Sequence, residues 1–286
     1  MKKTCTILLL ALCQVTIAWA KDDAKDAKKT MTGEDSVFQH YMREGAWKSP
    51  LFSRKRERHV DSALAILPQN AYLWQQRSMP LIKQNKYELA APYLDSAAKY
   101  NPMEYVPYRA FSKCIFSKEY RAAITDFDLA RSINGNSGVM DHPYDFFTGL
   151  CYLQLNQFDS AEHYIRKCIN HSIAQNGENW VHYVHWFYLG VIRYEQEDYT
   201  GAITYLDKAM KDFPDFCDAE YYKASALGEM KEYQKALPII RKAQLDMSNG
   251  YTMNEDNVYY ETYPYQVKKF FMQDAVQWLE EMNTTK

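Results

Sequence analysis

Glycine and proline are scarce: ten of each in 286 residues, against 24 tyrosines. So few turn-forming residues point to a helix-rich chain with aromatic packing rather than one broken by many tight turns. Beyond residue 20 no apolar run is long enough to cross a membrane as a helix, which needs roughly 20 residues. Charge of one sign is also missing. Lysine and arginine number 34 and aspartate and glutamate 36, too even a balance to favour nucleic acid or an anionic membrane surface. The cysteines after residue 20 are Cys114, Cys151, Cys168 and Cys217. They form neither a tight framework nor Cys-x-x-Cys, so they read as buried thiols, with a Cys151–Cys168 bridge as the exception to watch. There is no Gly-x-Gly-x-x-Gly, no phosphate loop ending in Gly-Lys-Ser/Thr, no Gly-x-Ser-x-Gly and no His-Glu-x-x-His. Asp126 and Asp128 lack the glycine and terminal glutamate of a calcium loop. Neither catalysis nor a cofactor is expected.

The first twenty residues are a different kind of sequence. Lys2 and Lys3 precede an apolar stretch from Ile7 to Leu12, and Ala18-Trp19-Ala20 ends it. That is the pattern of a secretory signal peptide cut after Ala20. Export to the periplasm is the expectation, with lipid anchoring or secretion as alternatives. Cys13 follows Leu-Ala-Leu, but Leu12 is larger than the small residue a lipid-attachment site needs. Cleavage removes two lysines and no acid, taking the formal net charge from −2 to −4.

What remains repeats. In 183–216, Trp186, Leu189, Gly190 and Tyr194 share one helical period. Glu195-Gln196-Glu197-Asp198 interrupts it, and Tyr199, Ala202, Leu206 and Ala209 mark a second stripe closed by Pro214. This predicts two amphipathic helices joined by a turn, with small residues where the backbones approach. Gly190, Ala202 and Ala209 stand at intervals of twelve and seven. So do Ser78, Ala90 and Ala97; Gly149, Ala161 and Cys168; and Ala224, Ala236 and Ala243. Ser112, Ala123 and Ala130 are one residue short in the first interval, which reads as a tighter turn.

These intervals and residues resemble the tetratricopeptide repeat, whose period is about 34. The resemblance is strongest at Trp186, Leu189, Gly190, Tyr199, Ala202, Leu206, Ala209 and Pro214, and nearly as good at Trp74, Tyr87, Ala90, Leu94, Ala97 and Pro102. It implies an all-α, right-handed superhelical solenoid of about six helix-turn-helix units, of an exported bacterial type. The units are placed near 37–70, 71–104, 105–138, 142–175, 183–216 and 217–250. In the first, Glu44 and Arg56 stand where small residues belong, which suits an end unit with no preceding neighbour. Pro80, Pro92 and Pro238 fall inside expected helices and should kink them. Residues 21–36 are charged and lack aromatics, so they read as a disordered leader. Residues 251–286 read as a tyrosine-rich loop followed by a capping helix opened by Pro264, with Val267, Phe270, Phe271, Ala275, Trp278 and Leu279 on one face.

In that family the first helices of the units line a concave groove that holds peptide segments. The corresponding stripe here includes Gln75, Arg109, Lys113, Phe146, Phe187, Tyr194 and Tyr221, with Ile82 and Phe116 beside them. The rival assignment for these residues is packing against their own neighbours. The function implied is a non-catalytic scaffold binding a protein or peptide; stacking of sugars on exposed rings is the alternative. His182 and His185 lie one helical turn apart, close enough to share a metal, and His163 and His171 are positioned to approach from the preceding unit. Without a third and fourth ligand nearby in sequence, no metal site is expected.

Overall fold

The structure is a computed structural model and describes residues 33–284. The expected signal segment 1–20 and residues 21–32 of the expected leader lie outside the described residues. The described residues divide into two compact units, the first ending at Arg77 and the second beginning at Ser78.

In the first unit, α1 (Gly33–Val37) runs into a π-helical turn at Phe38–Arg43 and a 3-10 turn at Ala46–Lys48, followed by α2 (Arg54–Ile66). The last residues of the expected leader are therefore helical. Glu34 accepts a hydrogen bond from the Asn70 amide at 2.7 Å, and Val37 is already part of a core with Met42, Ala46, Val60, Ala63 and Leu73. Arg56 stands where a small residue belongs. It is buried, donating to the Ala46 carbonyl at 3.0 Å and to Gln76 at 2.8 Å. Glu44 is exposed and pairs with Gln39.

The succeeding helices are α3 (Ala71–Ile82), α4 (Tyr87–Tyr100), α5 (Pro102–Ser112), α6 (Tyr120–Asn134), α7 (Tyr144–Gln154), α8 (Phe158–Asn176), α9 (Tyr183–Glu195), α10 (Tyr199–Asp212), α11 (Cys217–Glu229), α12 (Tyr233–Ser248) and α13 (Lys269–Thr284). From α4 onward each helix packs on the next, giving an all-α solenoid. A two-residue hairpin, Gly138–Val139 with His142–Pro143, separates α6 from α7. No helix among the described residues is long and apolar enough to cross a membrane.

The small residues act where their spacing placed them. A Cβ on Gly190 would sit 2.8 Å from Leu206 Cγ and 3.2 Å from the Ala202 carbonyl oxygen; one on Gly149 would sit 2.9 Å from Ile165 and 3.4 Å from the Ala161 carbonyl oxygen. The turns are equally regular. Asn85, Lys118, Asn156, Glu197 and Lys231 all have φ between 55° and 63°, each two residues before a second helix. The short interval after Ser112 is not a tighter turn. Lys118 keeps the same left-handed geometry, and the segment before it, Lys113–Ser117, winds as a π-helix. Pro80, Pro92 and Pro238 lie within helices that continue past them.

All four cysteines of the repeats are free and buried, so the Cys151–Cys168 bridge is not made. Burial and the neighbouring Cys114 raise the Cys151 thiol's pKa. The capping helix also differs. It begins at Lys269 rather than Pro264, and it buries Met272, Val276 and Leu279 while Phe270 and Phe271 face solvent. Residues 264–268 are pulled out of helical geometry because Val267 N–H donates to the buried Asp218 carboxylate at 2.6 Å.

One buried acid near this end gives a pH prediction. Lys242 serves three carboxylates: Glu220 at 2.5 Å, Asp246 at 2.6 Å and Asp215 at 2.9 Å. Burial, only partly offset by Lys242, pushes Glu220 up from 4.5 to about 7. The folded state then binds a proton that the unfolded chain releases, so stability is full below 4.5 and declines as pH rises toward 7, by at most about 1.4 kcal/mol per pH unit. Urea unfolding across that window should show a shallower decline in Glu220→Gln; identical slopes would remove Glu220 as the cause.

Candidate functional site

The expected binding stripe lies on α5, α7, α9 and α11, and the structure divides it into a covered part and an open part. Gln75 belongs to the first unit, where it accepts from the Gln76 amide at 2.9 Å. Phe146 and Phe187 are fully buried. They are corrected from partner contacts to core. Phe146 packs on Tyr188 and Phe187 on Phe216 and Tyr222. Tyr194 is half-buried against Tyr199 and Tyr222, and Tyr221 against Tyr222. Burial raises the pKa of both phenols, so they stay neutral.

The cover is the chain's own segment 251–268. Both its ends are tied to Asp218, which accepts from Met253 N–H at 2.9 Å, Thr252 Oγ1 at 2.8 Å and Val267 N–H at 2.6 Å. Tyr188 donates its hydroxyl to the Pro264 carbonyl at 2.8 Å, and Lys118 donates to the Thr262 carbonyl at 3.2 Å. Tyr263 and Met253 are buried on this face. At its far edge, Glu261 meets Lys118 at 3.3 Å and the Tyr87 hydroxyl at 3.2 Å, and burial followed by that carboxylate pushes Tyr87 up to about 12. The face thus holds non-helical polypeptide through side-chain bonds to its backbone. No local sequence signal identifies this docking, because each tie joins residues far apart in the chain.

The open part is a cavity of about 210 Å³ lined by Ile82, Tyr87, Leu94, Arg109, Lys113 and Phe116 among others. The basic pair in it is not free. Arg109 donates through Nε and Nη2 to both oxygens of Asp126, at 2.8 and 2.7 Å, and through Nη1 to Asp95 at 2.8 Å. Lys113 adds a bond to Asp126 at 2.8 Å. Asp126 is therefore the buried counter-ion of the pair. The cavity offers apolar walls and a polar floor whose charges are already matched.

Other expectations resolve here too. His163 and His171 do not join His182 and His185; among the described residues, His142 and Glu255 do. Burial, then His142 and His182, push His185 well below the usual range, so it is neutral. Exposed Tyr259 stands at 89° to partly buried Tyr260, and the exposed rings of Phe270 and Phe271 at 69° to one another, whereas the partly buried rings of Tyr152 and Tyr164 stack at 11°.

A tetratricopeptide repeat family model matches residues 186–215, and a second matches 147–170. The chain carries tetratricopeptide repeats at these positions. Its fold is similar to that of a tetratricopeptide repeat protein from Parabacteroides merdae ATCC 43184, at 13% identity and a TM-score of 0.57 over 86% of this chain and 98% of that one. PilW, a widely conserved type IV pilus biogenesis factor, gives 15% identity and 0.56 over 77% and 95%. Pseudomonas aeruginosa pilF gives 14% and 0.53 over 77% and 94%. These are likenesses of fold. No curated protein matches the sequence.

Proposed function

We propose that this tetratricopeptide repeat protein is an exported, non-catalytic scaffold that holds a protein segment against the face of its first helices. The observation that carries the reading is the docking of residues 251–268. The face already binds non-helical polypeptide through backbone-directed bonds from Asp218, Tyr188 and Lys118. The uncovered cavity between Ile82 and Phe116 is where a partner's side chain enters. Its apolar walls favour an apolar or aromatic anchor, of the kind that dominates interfaces. Export, to the periplasm, rests on Lys2, Lys3, the Ile7–Leu12 stretch and Ala18-Trp19-Ala20.

Ser117 lines the cavity and is partly exposed, so Ser117→Trp fills it without touching the core. Capture of a partner from a periplasmic extract should weaken by about tenfold or more, the effect of losing roughly 1.4 kcal/mol. Thr204→Trp puts the same ring on the exposed side of α10 and should leave capture intact. If Thr204→Trp abolishes capture while Ser117→Trp preserves it, the partner binds the second helices and the assignment fails.

A further inference from the structure

His142, in the short hairpin, is almost completely buried, and its Nε2 lies 2.6 Å from Glu255 Oε2. His182, exposed at the start of α9, brings its ring to 5.1 Å from that of His142. One donor atom from each of His142, His182 and Glu255 lies within 4.8 Å of the others. Ligands of a tetrahedral zinc ion with bonds of about 2.0–2.2 Å stand about 3.3 Å apart. Closing the cluster therefore asks only for small side-chain rotations.

A second observation points to a ligand independently. His185, one turn further along α9, is buried, and neither of its ring nitrogens has a hydrogen-bond partner. Its ring stands 5.4 Å from that of His142 and 6.0 Å from that of His182. A neutral imidazole carries one N–H and one lone pair, and burying both unmatched is costly unless something else claims them. The carboxylate is also held as ligating carboxylates are: Tyr183 donates its hydroxyl to Glu255 Oε1 at 3.0 Å, leaving Oε2 turned to His142. Asp141 and Asp256, next in the chain to His142 and Glu255, add negative charge beside the cluster.

We infer that His142, His182, His185 and Glu255 form a binding site for a divalent transition-metal ion of the zinc type. Three imidazoles and one carboxylate suit zinc and its neighbours, whereas magnesium and calcium take oxygen ligands throughout. Exposed His182 gives the ion a way in from solvent. Because Glu255 belongs to the docked segment and the histidines to the repeats, a bound ion pins residues 251–268 across the face of α7 and α9.

The test uses the tag-free full chain, stripped with a chelator and titrated with zinc against a chromophoric competitor. One zinc per chain is expected. His182→Ala changes an exposed residue, so its fold should survive, checked by far-UV circular dichroism. It should weaken zinc binding at least tenfold, as should Glu255→Gln, whereas His163→Ala and His171→Ala should leave it unchanged. Zinc should raise the thermal midpoint of the unaltered protein and not that of His182→Ala. Failure of the unaltered chain to bind zinc, equal affinity in His182→Ala, or equal loss in the His163 and His171 variants overturns the site.

Discussion

Asp218→Ala is expected to lower the free energy of unfolding by about 3–5 kcal/mol and to release residues 251–268 from the face they cover. Asp218 is fully buried and accepts from two backbone N–H groups and the Thr252 hydroxyl. Each buried donor left without an acceptor costs roughly 1–3 kcal/mol. Asp218→Asn keeps the shape but turns an amide N–H₂ toward at least one of those donors, so it should fall between the alanine variant and the unaltered protein. Hydrogen exchange locates the effect. Amides of 251–268 should lose protection first, before α9 and α10, which pack on each other through Gly190 and Ala202. Uniform loss of protection along the chain would show that Asp218 holds the repeats together rather than the segment.

This dependence on one aspartate explains where the sequence was legible. A close approach of two helices is written locally: Gly149 and Gly190 recur at the same place in successive pairs, and the residues they admit, Ile165 and Leu206, lie sixteen positions downstream in each case. Repetition makes such a signal readable several times over. The docking of 251–268 is written once, in isolated ties such as Tyr188 with Pro264 and Lys118 with Thr262, separated by 76 and 144 residues. Periodicity puts Phe146 and Phe187 on one stripe with Arg109 and Tyr194, but whether a residue on that stripe is open depends on what packs over it, and segment 251–268 has no period. The histidines divide in the same way. His182 and His185 are legible as neighbours on one helix, whereas His142 meets Glu255 across 113 residues. Arg109 and Lys113 were placed correctly one turn apart. Their counter-ion, Asp126, was not visible as such, because its partners lie on the other helix of the pair, 17 and 13 residues away.

Arg109→Glu is therefore expected to act on folding before it acts on any partner. Asp126 is buried and held by a bidentate guanidinium and an ammonium. Removing one partner of a buried pair typically costs about 3–5 kcal/mol, because the remaining charge is left uncompensated. Reversing the sign adds a carboxylate beside Asp126 and Asp95 with only Lys113 to answer them. Lys113→Gln leaves the bidentate arrangement whole and should cost about 1 kcal/mol, near the value of one ordinary hydrogen bond. Urea unfolding midpoints of the two variants should thus differ widely, with Arg109→Glu much the lower. Its loss of partner capture should then be recovered in part at low temperature or in a stabilising osmolyte, while that of Ser117→Trp should not. If Arg109→Glu unfolds no more easily than Lys113→Gln, Asp126 does not consume the charge of Arg109. The basic pair would then be available to an acidic side chain or a chain-terminal carboxylate in the cavity, and salt should weaken capture accordingly.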